Sequence, residues 1–398
     1  MCSNKEKYKE MSKYFITLVY ERLSQSEIII NLTSKEIPYK IIEKNDIFMI
    51  VEIEIETKFK EIGGIYKIGK IICEDDSIDK LDKKISEKEI LSNLQEKQKW
   101  NMSYYSKHTI NPQSYEQIHN IINNQIKNNI KKSKIIKNNI QSNNFYELSV
   151  DKENQEYLKI LLGYDGKKYY FSENIDSIKS SEFIERDLSR PYQDSKISLS
   201  PRTARILVNI LGLKKGDTIL DPFCGTGTFL MESLINGYEV MGSDIRKECV
   251  LGTRNNLKWL IKKYKLKNKI KQIKQDNAEK LFNVESNSVD GIITEPILLP
   301  NYKKHPTFDS AKEDLKKSKR IYEESLKSIR RVLKRNGKLA IVTPRIKTKN
   351  NEFVRFKFRD MIKKSGLIFN NKLDSQPFIM KSSDEQKIIR EIWLLEKY

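Results

Sequence analysis

The stretch Thr218-Ile219-Leu220-Asp221-Pro222-Phe223-Cys224-Gly225-Thr226-Gly227-Thr228 decides how this chain is read. A short apolar run ends on an aspartate and breaks into a glycine-rich turn. A helical pattern over 229–235 follows at once. In an open parallel sheet, ligands bind beyond the carboxyl ends of the strands, where such a turn lets backbone approach them. Gly225 and Gly227 permit positive φ and close approach. No lysine follows the last glycine, so the turn is not a phosphate-binding P-loop. Taken alone, it is also compatible with a tight strand-to-helix turn that binds nothing.

Outward from this stretch, strand and helix signals alternate regularly from Leu199 onward. Helices are expected over 202–211, 229–235, 248–264, 311–333 and 352–365. Strands are expected over 218–220, 239–243, 270–274, 289–294, 338–343, 367–372 and 391–396. This alternation predicts a doubly wound α/β domain of about seven strands. No helix separates the last two, so they are expected to form an antiparallel hairpin at the sheet edge. Upstream, residues 13–72 carry α+β signals. They include a helix start at Ser24-Gln25-Ser26-Glu27, a turn at Lys44-Asn45-Asp46 and a break at Gly63-Gly64. Residues 77–143 carry amphipathic helical patterns, and 123–144 read as a basic helix followed by a polar loop. Strands are expected over 145–150, 157–162 and 168–171, and a polar connector over 176–194.

A chain of 398 residues suits two or three domains, and 38% hydrophobic content excludes global disorder. No apolar run approaches the ~18 residues needed to span a membrane. The polar start has no signal-peptide core, so a cytoplasmic location is expected. Cys2, Cys73, Cys224 and Cys249 form no CxxC pair, and His108, His119 and His305 have no metal-ligand spacing, so no metal is expected. Cys224 reads as a small packing residue in the turn. The formal charge of +20 favours a polyanionic partner. Heavy use of Lys, Ile and Asn offers a compositional explanation for the same charge.

The Asp-Pro-Phe-Cys-Gly-Thr-Gly-Thr string resembles the first motif of class I S-adenosylmethionine (SAM) methyltransferases, in the form that acts on exocyclic amino groups of nucleic-acid bases. The resemblance implies a SAM site built from Asp221, Phe223, Cys224, Gly225, Thr226, Gly227 and Thr228, with Asp221 facing the methionine ammonium. Asp244 ends the next strand, ahead of Ile245. An acid there suits the ribose hydroxyls, as in dinucleotide folds, or else a helix cap. Asp276 and Asn277 follow the third strand and suit the adenine, with an N-cap as the alternative. The fourth strand ends in Glu295-Pro296-Ile297-Leu298-Leu299-Pro300. Amino-group methyltransferases carry an (Asp/Asn)-Pro-Pro-(aromatic) signature here. Its first side chain and the next carbonyl accept hydrogen bonds from the target amine and orient its lone pair. Glu295 and Pro296 are thus the expected catalytic pair. Glu replaces Asp or Asn, the second proline is Ile297, and the usual aromatic is absent. Tyr302 is the nearest aromatic able to stack on a base.

Taken together, these residues resemble the THUMP-containing tRNA guanine-N2 methyltransferases, which act on position 10 of tRNA. Arg186-Asp187 with Arg190-Pro191 is similar to the family's connector. Ser200-Pro201-Arg202-Thr203-Ala204-Arg205 partly matches its next helix, on which Asn209 follows. Gly242-Ser243-Asp244-Ile245 and Asn256-Leu257-Lys258-Trp259 also resemble family elements. So do Leu23-Ser24-Gln25-Ser26-Glu27-Ile28 and Gly63-Gly64-Ile65-Tyr66-Lys67-Ile68, both within the ferredoxin-like domain that precedes THUMP. The resemblance implies a ferredoxin-like domain over 1–74, a THUMP-like domain over 75–175, a linker over 176–198 and a Rossmann-like methyltransferase domain over 199–398.

The expected activity is SAM-dependent methylation of the exocyclic N2 of guanosine in tRNA. The N-terminal half would grip the acceptor end, with Lys127, Lys131, Lys132, Lys134 and Lys137 on phosphates and Arg345 facing RNA near the active site. The alternatives are a base amino group in rRNA or DNA, or an RNA-binding protein that keeps the fold without catalysis. The sequence leaves open the oligomeric state and a small activating protein partner such as some family members use.

Overall fold

In the computed structural model the described residues are 11–53, 59–87, 99–108, 116–121, 123–124, 134–135, 157–194, 199–267, 269–296, 299–300, 302–370, 376–381 and 385–398. The expected strand over 145–150 and most of the basic stretch over 123–144 lie outside them. The chain divides into two compact units: Met1–Gln25, Glu36–Phe59 and Ile65–Ile178 form one, and Ser26–Lys35, Lys60–Gly64 and Lys179–Tyr398 form the other. Among the described residues, no helix is long and apolar enough to cross a membrane.

The first stretch of chain runs β1 (Ser12–Leu18), α1 (Glu21–Ser34), β2 (Tyr39–Lys44), β3 (Phe48–Ile53), β4 (Ile65–Asp75), α2 (Ile78–Glu87), β5 (Lys99–Ser106), β6 (Lys134–Ile135), β7 (Tyr157–Tyr164) and β8 (Tyr169–Ser177). The strands form one sheet in the order β2-β3-β1-β4-β8-β7-β5-β6. The turn at 44–46 is held by Asn45, whose Oδ1 accepts from the amides of Ile47 and Phe48, both at 2.9 Å. Such a local bond is what makes Asn a turn former. Gly163 on β7 leaves room for the Phe15 ring; a Cβ there would lie 2.1 Å from it.

The second unit continues through α3 (Ser180–Leu188), α4 (Pro201–Asn209), β9 (Thr218–Asp221), α5 (Thr228–Ile235), β10 (Glu239–Asp244), α6 (Lys247–Tyr264), β11 (Ile270–Gln275), β12 (Val289–Thr294), α7 (Phe308–Val332), β13 (Leu333–Lys347), β14 (Phe353–Arg355), α8 (Phe358–Ser365), β15 (Ile368–Phe369), β16 (Phe378–Met380) and β17 (Ile388–Glu396). Its sheet runs β11-β10-β9-β12-β13-β17-β15, with β14 on β13 and β16 on β17. The strands from β11 to β13 are parallel, and β17 is antiparallel to β13. The chain steps outward from β9 to β11, then returns to β12 on the other side of β9. That reversal makes the carboxyl ends of β9 and β12 the switch point, where open α/β sheets bind ligands. β9 and β12 read as near-continuous apolar runs because the sheet is covered on both faces. The α4 start is a capped one: the Ser200 side chain accepts from the Thr203 amide, with Pro201 in the first turn.

Three elements differ from expectation. The polar connector over 176–194 contains α3, which buries Phe183 and Arg186. Its polar composition hides this, because the partner of Arg186 is Glu232, 46 residues away. The expected helix over 352–365 begins as strand β14, whose exposed–buried–exposed pattern pairs with the end of β13. Only its second half is helical. Residues 99–106, inside the stretch with helical patterns, form strand β5. The expected hairpin is present, with β15 antiparallel to β17 at the sheet edge. β17 is inserted between β13 and β15, pairing with β13 from Lys338 to Ile346. Its apolar core, from Ile392 to Leu395, explains the interior position.

Buried charge ties the second unit together. Glu232 on α5 is fully buried, and Arg186 meets its Oε1 at 2.6 Å while Arg205 meets its Oε2 at 2.6 Å. The Phe183 ring lies 4.7 Å from the Arg186 guanidinium and 4.6 Å from that of Arg202. Glu27, also fully buried, accepts from the amides of Gly63 and Gly64 at 2.8 and 2.7 Å and from the Asn209 side chain at 2.6 Å. A cut after residue 175 would therefore strip Glu27, Gly63 and Gly64 from the unit that contains α4. Removing the shared carboxylate from two buried guanidiniums leaves both charges uncompensated. Glu232→Ala should cost about 3–5 kcal/mol, read as a lowered urea midpoint with little change in slope.

Candidate functional site

Four acids stand at the carboxyl ends of four consecutive parallel strands. Asp221 closes β9, Asp244 closes β10, Asp276 follows β11 and Glu295 follows β12. All are at least largely buried, and each is held differently.

Asp221 is 1% exposed. Its Oδ1 accepts from the Phe223 amide at 3.0 Å and from Thr294 Oγ1 at 2.8 Å. Burial pushes its pKa up to about 7. The carboxylates of Asp244 and Glu295 push the same way, while the bonds from Phe223 and Thr294 oppose the shift. Asp244 reaches back into the glycine loop: its Oδ2 accepts from the Gly225 amide at 3.0 Å and its Oδ1 from the Arg246 amide at 2.9 Å. Asp276 caps its own loop, accepting from the amides of Asn277 and Asn283, both at 2.8 Å. Asn277 in turn accepts from the Glu279 amide. Ile245, next to Asp244, is exposed.

The loop between β9 and α5 is shaped by what packs behind it. Gly225 and Gly227 take φ of 51° and 82°. A Cβ on Gly225 would meet only the Phe223 carbonyl at 3.9 Å, so one side of the loop is open. At Gly227 a Cβ would lie 2.9 Å from the Thr253 methyl, so α6 presses directly on the backbone there. Thr253 Oγ1 donates to the Gly225 carbonyl at 2.8 Å, and Asn256 Nδ2 donates to the Thr226 carbonyl at 2.8 Å. The same Asn256 brackets Tyr192 of the connector through its amide and carbonyl. Arg190 Nη1 donates to Thr228 Oγ1 at 2.8 Å. Thr226 and Thr228 hydroxyls lie 3.3 Å apart. Cys224 is buried, and desolvation with the nearby Asp221 and Asp244 carboxylates holds its thiol well above the usual range, which suits packing rather than nucleophilic attack.

Glu295 lies against Arg390 of β17. Arg390 Nε donates to its Oε1 at 2.6 Å and Nη2 to its Oε2 at 3.4 Å. Burial raises the Glu295 pKa and Arg390 opposes the rise. Pro296 follows directly. Residues 297 and 298, where the aromatic is missing, lie outside the described residues.

The residues singled out for RNA contact are dispersed. The Tyr302 hydroxyl donates to Asp314 at 2.8 Å and its ring packs on the α7–α8 core. Arg345 stacks over Phe353 at 4.1 Å and lies 3.9 Å from buried Glu391. Lys127, Lys131, Lys132 and Lys137 lie outside the described residues; Lys134 opens β6. Among the described residues, no group of three or more His, Cys, Asp or Glu side chains is arranged to hold a metal.

Sequence reasoning missed Thr294, Asn256, Thr253 and Arg390 as parts of the site. Thr294 carried a signal, a lone hydroxyl at the end of a buried apolar strand. Arg390 carried none, since its partner is 95 residues away.

Residues 189–368 match the model of the RMKL-like methyltransferase domain family. The chain is 36% identical over 148 residues to a tRNA (guanine(10)-N2)-dimethyltransferase of Methanothermobacter thermautotrophicus, covering 37% of this chain and 39% of that protein. It is 39% identical over 150 residues to a probable tRNA (guanine(10)-N2)-dimethyltransferase of Methanothermococcus thermolithotrophicus, covering 36% of this chain and 80% of that protein. The crystal structure of TrmN from Thermus thermophilus superposes with a TM-score of 0.58, covering 97% of this chain and 100% of that one; at 12% identity the likeness is one of fold. A Rossmann-like sheet with a glycine loop and an acid at each strand end, read with these relatives, places the chain in the tRNA guanine-N2 methyltransferase family.

Proposed function

We propose that this protein transfers a methyl group from SAM to the exocyclic N2 of a guanosine in tRNA. The observation that carries this reading is the 2.8 Å bond from Thr294 to Asp221, which holds the strand end bearing Glu295 against the glycine loop. The names of the relatives support tRNA and guanine N2 as the substrate. The net charge of +20 supports an RNA partner, with phosphate contacts from the basic stretch around Lys127, Lys131, Lys132 and Lys134.

The residues fit SAM. Asp221 is a buried acid whose charged neighbours, Asp244 and Glu295, are also acids, so a cation beside it relieves repulsion. Asp221 would take the methionine ammonium, Asp244 the ribose hydroxyls, and the Asp276–Asn277 loop the adenine edge. Bound SAM supplies an electrophilic methyl whose C–S electron pair stays on sulfur. Glu295 and the Pro296 carbonyl would accept hydrogen bonds from the two N–H groups of the target amine, aiming the nitrogen lone pair at that methyl. As the N–C bond forms, positive charge develops on nitrogen. The Glu295 carboxylate stabilises it and accepts the proton the nitrogen sheds, directly or through water. The side chain of Thr294 keeps the two halves of the site in register, and that of Thr253 holds the glycine loop from behind.

Glu295→Ala should lower kcat for tRNA methylation by about two to three orders of magnitude while SAM affinity stays near that of the parent protein; undiminished turnover would sink the assignment. Only ionised Asp221 offers the ammonium a counter-charge. SAM affinity should therefore fall about tenfold per pH unit below pH 7, from the value of about 7 at Asp221. In Asp221→Asn binding should be weak and flat over pH 6–7.5. Calorimetry showing a pH-independent affinity in the parent protein would remove the role.

A further inference from the structure

The Glu295–Arg390 pair is not explained by the reading above, which needs only a carboxylate. Amino-group methyltransferases place Asp or Asn at this position; this chain places Glu, longer by one methylene. A longer side chain carries more rotamer freedom, which costs precision at a reacting centre. Both partners are nearly buried, at 12% and 11% exposure, and the guanidinium meets each carboxylate oxygen with a separate nitrogen. Such a two-point contact fixes orientation as well as charge. Arg390 itself is set by β17, opposite Pro344 in the register with β13, so the anchor sits on a sheet interior rather than on a loop. Each carboxylate oxygen keeps a second lone pair for an incoming N–H.

We propose that Arg390 is a positioning residue for methyl transfer, holding the Glu295 carboxylate in one orientation and in its acceptor form. The inference rests on the proposed role of Glu295. Among the described residues, the groups around that carboxylate offer no substitute for Arg390. Asp221 at the end of β9 is an acid that repels it, and Tyr322 on α7 is a phenol that burial first, and this charge second, hold in its neutral form. Glu391, the next residue on β17, is matched to Arg345 and Arg355. Desolvation drives Glu295 toward protonation and Arg390 is what opposes it. A protonated Glu295 could no longer take the proton from nitrogen.

The sign of the effect follows. Without Arg390, burial acts unopposed, Glu295 holds its proton more tightly, and function returns as pH rises. The test uses the full chain with tRNA as methyl acceptor, single-turnover rates over pH 6–9, and calorimetry with SAM. Arg390→Met should lower the rate at least tenfold at pH 7 with SAM affinity within twofold of the parent. The deficit relative to the parent should shrink toward pH 9. Arg390→Lys should recover part of the rate. In a Glu295→Gln background, Arg390→Met should produce no pH-dependent deficit, since nothing there titrates. If the Met variant does not fold, Arg390→Gln answers the same question. A deficit constant across pH and equal in both backgrounds would overturn the proposal, as a general structural loss. So would a parent-like rate and pH profile in Arg390→Met while Glu295→Ala is inactive, an outcome that spares the role of Glu295. Full activity in Glu295→Ala would overturn both.

Discussion

Everything at the candidate site depends on one buried carboxylate. Asp221 ends the central strand and accepts from two places at once: the amide that starts the glycine loop and the hydroxyl that ends the neighbouring strand. The first bond bends the backbone into the loop. The second ties that loop to the strand end carrying Glu295. Because β9 and β12 flank the switch point of the sheet, the donor and acceptor sides of the proposed reaction are separated by one hydrogen bond rather than by a flexible segment. Geometry of this kind is what positioning in catalysis requires, since small displacements of reacting groups are costly.

The helix that follows the loop, α5, is braced by α4 through polar side chains. Arg205 runs to Glu232 on α5, and Asn209 runs to Glu27 and to the Asn236 side chain. Both acids are fully buried, and burial pushes Glu27 up to about 7 despite bonds from Gly63, Gly64 and Asn209. Residues 26–35 and 60–64 thus join the unit that carries the site. The attachment works because each acid is shared among several donors; a single partner would not offset its desolvation. Sharing of this kind gives the helix behind α5 few ways to shift.

Much of this is legible in the sequence. The glycine loop, the acids ending successive strands and the Glu-Pro after β12 are local patterns, and local patterns survive in a sequence. The helix start at Ser24 and the glycine pair at 63–64 were also legible, but as two unrelated signals. Only the fold brings the Glu27 carboxylate onto the Gly63 and Gly64 amides. What composition concealed was long-range charge pairing. Arg186 looked like part of a polar connector because Glu232 lies on another element, and Arg390 looked like an ordinary strand residue because Glu295 lies 95 positions away. β14 was misread as helix for a related reason: three residues of alternation are too short to outweigh a helical pattern that follows, and the strand they pair with is set by tertiary register.

The acids also have a collective logic on the proposed reading. Asp221 feels the charges of Asp244 and Glu295, and each raises it. Arg390 is paired with one of the two. Methyl transfer then moves positive charge in one direction. The sulfonium side becomes neutral as the amine nitrogen gains charge, and that nitrogen lies beside Glu295. The ammonium placed beside Asp221 keeps its charge throughout, so the stabilisation that grows along the path is that of Glu295 on the nitrogen. The Glu in place of the usual Asp or Asn is consistent with this logic only because a guanidinium holds it. In the same burial, an acid without that partner is driven toward the protonated form, which lacks the charge that the transfer needs.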